Sequence, residues 1–441
     1  MPEYVVTLPI LHADQVRAYR TLGKRKAIRC GRRWGKSTLA EVIAGNAATH
    51  SKAVGYFTPE YKYQSEIYND ILNILLPIKL SSSKVDGLIR TRTGGRVDFW
   101  TLDNENAGRS RSYDIIIMDE AAFGKPQTME TWERAIEPTL LDHDGVAWVL
   151  SNTNGADPDN FFWRLCNDPK YGFAQYHAPT HNNPDMPKRL ASEDDATYYE
   201  RRERTFAELR AKKHPLVYQQ EYLAEFVDWS GVAFFELQKM LDNGKPVPFP
   251  RTCEGVVAII DTAVKTGTEN DGTGVSYWAY DKVLNAPIVC LDWDIVQIEG
   301  ASLEMWIPSV FARLEELAKI CRARLGSQGA YIEDAQSGSI LLQQCANRGL
   351  PAQALPAKLT TAGKDARAIN ASSPVYTGQV KFSEYAYEKT TTYKETTRNH
   401  MLSQVLGFRV GDKDAAKRAD DLLDTFTYAV AICCGDYEGI N

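Results

Sequence analysis

Apolar positions along this chain fall into short dense runs, separated by stretches in which they recur every three to four residues. The runs read as buried strands and the recurrences as helices with one packed face. Ala27 and Ile28 form a short apolar approach, and Leu39, Ala40, Val42, Ile43 and Ala44 follow at helical spacing. Residues 53–59 (AVGYFTP) read as a strand and 63–76 as the next helix, while 95–101 (GRVDFWT) alternate as a half-buried strand does. A polar stretch at 104–112 predicts a loop. Residues 113–120 (YDIIIMDE) then bring Ile115, Ile116 and Ile117 together, the composition of a parallel strand buried on both faces. Residues 146–150 repeat that character, so the first part predicts an α/β fold with a mostly parallel sheet flanked by helices.

From 179 to 228 the composition turns to charged helix, with Arg201, Arg202, Arg204, Arg210, Lys212 and Lys213; such a run is ordinarily a solvated face. Pro246, Pro248 and Pro250 mark a boundary near residue 248. Beyond it, 255–260, 275–280 and 287–298 supply three strands at hairpin spacing, with Asp261 closing the first and a polar hairpin at 262–272. A helix at 303–325, a strand YIED ending in Asp334, a helix from Ile340 and a last amphipathic helix near Arg418 complete a mixed α/β pattern. That last helix carries Asp420, Asp421 and Asp424, and the three- and four-residue spacings put Asp424 beside both others. The expected parts are 1–180, 181–248 and 249–441.

Composition narrows the classes. A length of 441 residues exceeds one ordinary core. A net charge of −6 excludes a globally basic nucleic-acid binder, so any DNA contact must use local patches. Eight cysteines lack metal-ligand spacing, and Cys433 and Cys434 sit in an apolar helical run, which predicts reduced thiols in a cytosolic compartment. The opening MPEYVVTLPI is too short and acidic for a signal peptide, and no apolar run approaches the ~20 residues of a membrane span. No membrane association is expected.

The chemistry concentrates at residues 29–38, Arg-Cys-Gly-Arg-Arg-Trp-Gly-Lys-Ser-Thr, between the first strand and its helix. Backbone N–H groups converging at a helix N-terminus bind polyphosphate. Cys30, Gly31, Arg32, Arg33, Trp34, Gly35, Lys36, Ser37 and Thr38 would cradle ATP, Lys36 reaching the β- and γ-phosphates and Ser37 taking one position on Mg²⁺. The usual loop has glycine where Cys30 stands, so a basic turn capped by Gly35 competes. Asp119 and Glu120 end a buried strand at the edge where ligands bind in such sheets. Asp119 would hold Mg²⁺, and Glu120 would orient and deprotonate the attacking water. Ser151, Asn152 and Thr153 end the next strand and would sense the γ-phosphate, with a polar turn as the plain alternative. Gln15 either meets the adenine edge or is solvated. Arg32 or Arg33 suits an arginine finger, and Arg109 and Arg111 compete for that role.

Taken in order, these residues resemble the large terminase subunit of tailed bacteriophages, a DNA-packaging motor and nuclease. Cys-Gly-Arg-Arg-Trp-Gly-Lys-Ser is similar to that family's deviant Walker A, Asp119–Glu120 to its Walker B, and Ser151–Asn152–Thr153 to its coupling motif. Residues 218–235 (YQQEYLAEFVDWSGVAFF) are similar to the segment where its ATPase gives way to its nuclease. The resemblance implies a ribonuclease H-like second domain, with Asp261, Asp334 and Asp421 as its metal-binding acids. Asp420 and Asp424 are possible substitutes, and Asp271 an additional acid. Three carboxylates suit two hard cations, Mg²⁺ or Mn²⁺, for phosphodiester hydrolysis. It also implies double-stranded DNA, a small terminase subunit, a portal protein and a homo-oligomeric ring on the prohead as partners, in the host cytoplasm. A helicase-like repair ATPase fused to a nuclease, and a DNA-binding ATPase with an inactive nuclease domain, are the alternatives.

Overall fold

The computed structural model of the chain describes residues 4–229, 234–262, 272–297, 300–334, 337–409 and 420–435. Two compact units emerge, residues 1–208 with 215–228, and residues 209–214 with 229–441. The stretch 181–248, expected as a helical linker, is shared between them.

The first unit contains α1 (Ala13–Tyr19), β1 (Arg25–Cys30), α2 (Lys36–Thr49), β2 (Ala53–Thr58), α3 (Tyr61–Leu75), β3 (Lys79–Ser83), β4 (Leu88–Thr91) and β5 (Arg96–Thr101). There follow β6 (Ile115–Asp119), α4 (Thr128–Thr131), β7 (Val146–Ser151), α5 (Phe161–Asn167), β8 (Ala174–Ala178), most of α6 (Asp195–Lys212) and α7 (Pro215–Glu221). Its eight strands run in the order β3-β4-β5-β2-β6-β7-β1-β8. From β5 to β8 every pairing is parallel, and β4 and β3 extend the edge antiparallel. Successive side chains of β6 alternate between faces. Ile117 joins Ile28, Leu39, Ile43 and Tyr56 in one core, while Ile116 and Met118 join Phe57, Val149, Trp132 and Phe162 in the other. Burial on both faces is what makes these strands uniformly apolar in sequence.

The second unit contains β9 (Gly255–Asp261), β10 (Thr273–Asp281), β11 (Ala286–Val296), α8 (Gly300–Ile320), β12 (Ser327–Ile332), α9 (Ser337–Asn347) and β13 (Ala352–Ala354). It continues with α10 (Ala357–Thr360), α11 (Lys364–Tyr376), β14 (Val380–Phe382), α12 (Glu384–Glu388), a small β15–β16 hairpin (Thr391–Tyr393, Thr396–Arg398), α13 (His400–Gly407) and α14 (Asp421–Cys434). The sheet order is β13-β12-β9-β10-β11-β14, with an antiparallel β9–β10–β11 meander and parallel β12 and β13 on its other side. That is the mixed order expected of a ribonuclease H-like fold. The last helix begins at Asp421 rather than near Arg418, and residues 410–419 lie outside the described set. It is also not amphipathic, because every residue from Asp421 to Val430 is buried. All eight cysteines are free thiols, seven of them buried. No helix among the described residues is long and apolar enough to cross a membrane.

Candidate functional site

The loop between β1 and α2 is shaped by what holds its carbonyls. Arg33 and Gly35 both have positive φ, 63° and 103°. A side chain at Gly35 would also meet Gln15, since a Cβ there would lie 2.5 Å from Gln15 Nε2. Four consecutive carbonyls are tied back from outside the loop. Thr180 Oγ1 donates to Arg32 O (2.7 Å), Asn183 Nδ2 to Arg33 O (2.7 Å), His12 Nε2 to Trp34 O (3.0 Å) and Gln15 Nε2 to Gly35 O (2.7 Å). Gly31 N donates to Ala178 O at 2.9 Å and fixes the loop's entry. The N–H groups of Lys36, Ser37 and Thr38 have no acceptor within their helix. With the carbonyls drawn away, these are donors of the kind that bind anions at a helix N-terminus.

Three residues expected at a nucleotide support the loop instead. Gln15 is buried, and its Oε1 accepts from His12 N (2.9 Å) while its Nε2 holds Gly35, so neither end of the amide faces an adenine. Cys30 and Trp34 are fully buried and can offer a ligand only main chain. Trp34 Nε1 donates to Asp14 Oδ2 (2.8 Å), and Tyr176 OH donates to Asp14 Oδ1 (2.7 Å). Trp34→Ala is therefore expected to cost about 3–5 kcal/mol, the usual cost of emptying a buried aromatic site. A denaturant titration of the nucleotide-free protein would measure it.

The charged groups meet on the other side of the loop. Lys36 Nζ lies 2.7 Å from Glu120 Oε1 and donates to Asn152 Oδ1 at 3.2 Å. Burial penalises its ammonium, yet Glu120 beside it raises its pKa above the ordinary lysine value. Glu120 stands at φ 53°, unusual for a side-chain-bearing residue, and follows directly on β6. Its Oε2 is buried and has no hydrogen-bond partner among the described residues, an acceptor suited to a water or a cation. Asp119 accepts from Tyr56 OH (3.0 Å) and from Glu120 N (3.0 Å), and burial pushes its carboxyl up to about 6 against the pull of Lys36. Ser37 and Arg33 are exposed, and Thr38 half-buried, at the same helix start.

Of the three polar residues at the end of β7, Ser151, Asn152 and Thr153, it is Asn152 that meets Lys36. Ser151 Oγ accepts from Ala122 N (3.1 Å), bracing the turn after Glu120, and the Thr153 hydroxyl lies 2.8 Å from Glu225 O. Arg32 is ion-paired with Glu221, whose Oε2 also accepts from Asn152 Nδ2 at 3.2 Å. Arg111 lies 3.7 Å from Asp98, and Arg109 is exposed. Glu221 and Tyr56 were not singled out by sequence reasoning. The first is one of three acids within residues 218–235, and nothing local marked either residue.

In the second unit four acids gather. Asp261 ends β9, and burial together with Asp424, Glu333 and Asp421 holds its carboxyl well above the usual range. The parallel register pairs Ile260 with Ile332, so the next residues, Asp261 and Glu333, share a face. Asp334, expected as the second acid, falls one residue beyond that register and accepts a hydrogen bond from Ser339. Gly274 on β10 pairs with Asp261, and a Cβ there would lie 3.1 Å from the main chain of Asp421, which is how α14 approaches the strand end. Asp424 is ion-paired with Arg367 (2.5 Å) and lies 3.6 Å from Lys364, which also pairs with Asp420. Among the described residues, no group of three His, Cys, Asp or Glu side chains is arranged to hold a metal ion. Carboxylate oxygens are the ligand type that hard divalent cations take. Asp271 lies outside the described residues.

The fold is α/β in both units, with a mostly parallel sheet flanked by helices in the first and a mixed, ribonuclease H-like sheet in the second. The chain's curated relatives are terminase large subunits. That of Thermus phage G20c is 27% identical over 263 residues, 52% of this chain and 51% of the relative. That of Thermus virus P23-45 is 31% identical over 151 residues, 32% of this chain and 28% of the relative. The aligned stretch thus spans about half the length of the first relative and less of the second. A solved large terminase from a thermophilic bacteriophage matches 95% of this chain and 98% of its own, with a TM-score of 0.60 and 12% identity, a likeness of fold. The same protein in complex with ADP gives a TM-score of 0.59 at equal coverage and identity. No family model matches the chain.

Proposed function

We propose that this chain is the motor and nuclease subunit of a viral DNA-packaging machine, hydrolysing ATP to move double-stranded DNA into a prohead and cutting concatemeric DNA with divalent metal. The observation that carries this reading is the cluster of Lys36, Glu120 and Asn152 at the mouth of a loop whose carbonyls from Arg32 to Gly35 are tied outward. The resemblance to large terminases, one of them solved with ADP, supports it. A small terminase subunit, a portal protein and a ring of copies on the prohead are the partners that reading carries, with the host cytoplasm as its setting.

In the first unit Lys36 and the N–H groups of the loop bind the β- and γ-phosphates, and Glu120 takes a proton from water through its unpartnered oxygen. Ser37 and Asp119 would hold Mg²⁺, which neutralises charge on the phosphates when bound. In the second unit Asp261, Asp421, Glu333 and Asp424 would hold Mg²⁺ or Mn²⁺, with Asp334 a neighbour; bound cations stabilise the attacking and leaving oxygens of a phosphodiester. Mn²⁺ should serve at least as well as Mg²⁺, whose octahedral demand is stricter.

Glu120→Gln tests the ATPase assignment, because it keeps shape and removes the base. Nucleotide affinity is expected to survive while kcat falls about a hundredfold. Normal turnover in this variant would move the base elsewhere. DNA-stimulated ATP hydrolysis with no unwinding of a forked duplex is expected of the wild-type chain, and efficient unwinding would favour a helicase.

A further inference from the structure

We propose that Glu221 is a positioning residue for ATP hydrolysis, a carboxylate hub that holds Arg32 and Asn152 in place around the phosphate loop. The inference rests on the ATPase reading of the first unit and extends it to a residue far from the loop in sequence.

Glu221 is the last residue of α7 and is buried. It grips Arg32 twice, since its main-chain O accepts from Arg32 N (2.8 Å) and its Oε2 pairs with the Arg32 guanidinium. The same Oε2 accepts from Asn152 Nδ2 (3.2 Å), and Asn152 Oδ1 in turn accepts from Lys36 Nζ (3.2 Å). Lys36 then meets Glu120. The charged groups alternate in sign along the whole path, Arg32, Glu221, Lys36 and Glu120, with the neutral Asn152 amide bridging the middle pair. Asn152 has both ends of its amide committed, so its orientation depends on Glu221 as much as on Lys36.

Neighbouring residues of the same segment reinforce the grip. Tyr222 O accepts from Thr180 N (2.8 Å), and Thr180 Oγ1 holds the Arg32 carbonyl. Thr153 lies against the carbonyls of Gln220 and Glu225, and Gly155 N donates to Gln220 Oε1 (3.1 Å). Residues 220–225 therefore touch both the phosphate loop and the loop after β7. A change at the phosphates that shifts Arg32 or Asn152 must be felt at Glu221, and so at the chain that leads out of the first unit.

Two effects on the reaction follow. Glu221 aligns Arg32 and Asn152, which favours kcat, and its negative charge offsets Arg32 near a polyanionic substrate, which weakens binding. Glu221→Gln keeps the shape and removes the charge. Its KM for ATP is expected to fall about threefold, the scale of one unit charge acting through a high dielectric. Its kcat should fall about tenfold through lost alignment. A residue serving only stability would not move the two constants in this way. Arg32→Ala leaves the Glu221 carboxylate uncompensated, so KM should rise, and adding Glu221→Gln should bring it back toward the wild-type value.

Steady-state ATPase kinetics on the full-length chain and these three variants, with melting temperatures recorded alongside, decide the matter. Opposite effects of Glu221→Gln on catalysis and on binding, kcat impaired while KM improves, with recovery of KM in the double variant, support the hub. Unchanged constants in Glu221→Gln, or a double variant whose KM stays at the value of Arg32→Ala, overturn it. If Glu221→Gln fails to fold, Arg32→Ala, altering a half-exposed side chain, still carries the test, and an unchanged KM there overturns the proposal. A wild-type chain without ATP hydrolysis would overturn the ATPase reading itself, and the hub with it.

Discussion

Lys36→Ala is expected to lower ATP hydrolysis about a thousandfold, while metal-dependent cleavage of plasmid DNA continues at the wild-type rate. Removing one preorganised donor aimed at developing charge costs roughly a hundredfold to a thousandfold. Lys36 stands at the upper end because it is nearly buried and serves two partners, Glu120 at 2.7 Å and Asn152 at 3.2 Å. Without it Glu120 loses its counter-charge, and Asn152 keeps only its contact with Glu221. Cleavage should persist because the acids around Asp261 belong to the other compact unit. Phosphate release and plasmid nicking, measured on the same folded preparation, check the prediction. Equal loss of both activities would contradict the assignment of one chemistry to each unit.

Asp261→Ala is expected to bring metal-dependent cleavage down to background and to leave ATP turnover within about twofold of wild type. Two cations cannot be held without the acid that stands among the others. The same change should raise the melting temperature of the metal-free protein, because Asp261 sits beside Glu333, Asp421 and Asp424 and like charges repel. Gain of stability with loss of function separates a site residue from a structural one. Glu333→Ala should reduce cleavage further than Asp334→Ala, since the strand register puts Glu333 beside Asp261. Gel-based nicking with Mn²⁺ and calorimetry together provide the readouts.

Much of the fold could be read from the chain, and the reason is burial. β6 and β7 are covered on both faces, so Ile115–Met118 and Val146–Leu150 appear as apolar runs that nothing else explains. The edge strand β3 and its neighbour β4 carry KLSSS and LIRT, four of the nine residues exposed, and show no such run. The loop at residues 29–38 was equally legible as a candidate, because its residue types sit together in sequence. Their individual duties were not. Trp34 and Gln15 look like ligand contacts by position, yet which way each side chain points is fixed by Asp14, Tyr176 and His12.

Glu333 and Asp334 are adjacent acids, and only the register with β9 decides which one faces Asp261. Glu221 lies 189 residues from Arg32, a separation across which no local pattern carries information. Asp424 kept its place among the acids, but its pairing with Arg367 and Lys364 comes from α11, a helix the sequence pattern had not marked.

The most direct test of the ATPase assignment is a crystal structure of the chain with Mg²⁺ and a non-hydrolysable ATP analogue. The β- and γ-phosphates are expected within hydrogen-bonding distance of the N–H groups of Lys36, Ser37 and Thr38, with Lys36 Nζ on the phosphates and Glu120 facing the water beyond them. A nucleotide bound away from residues 31–38, or none bound at saturating concentration, would contradict the assignment.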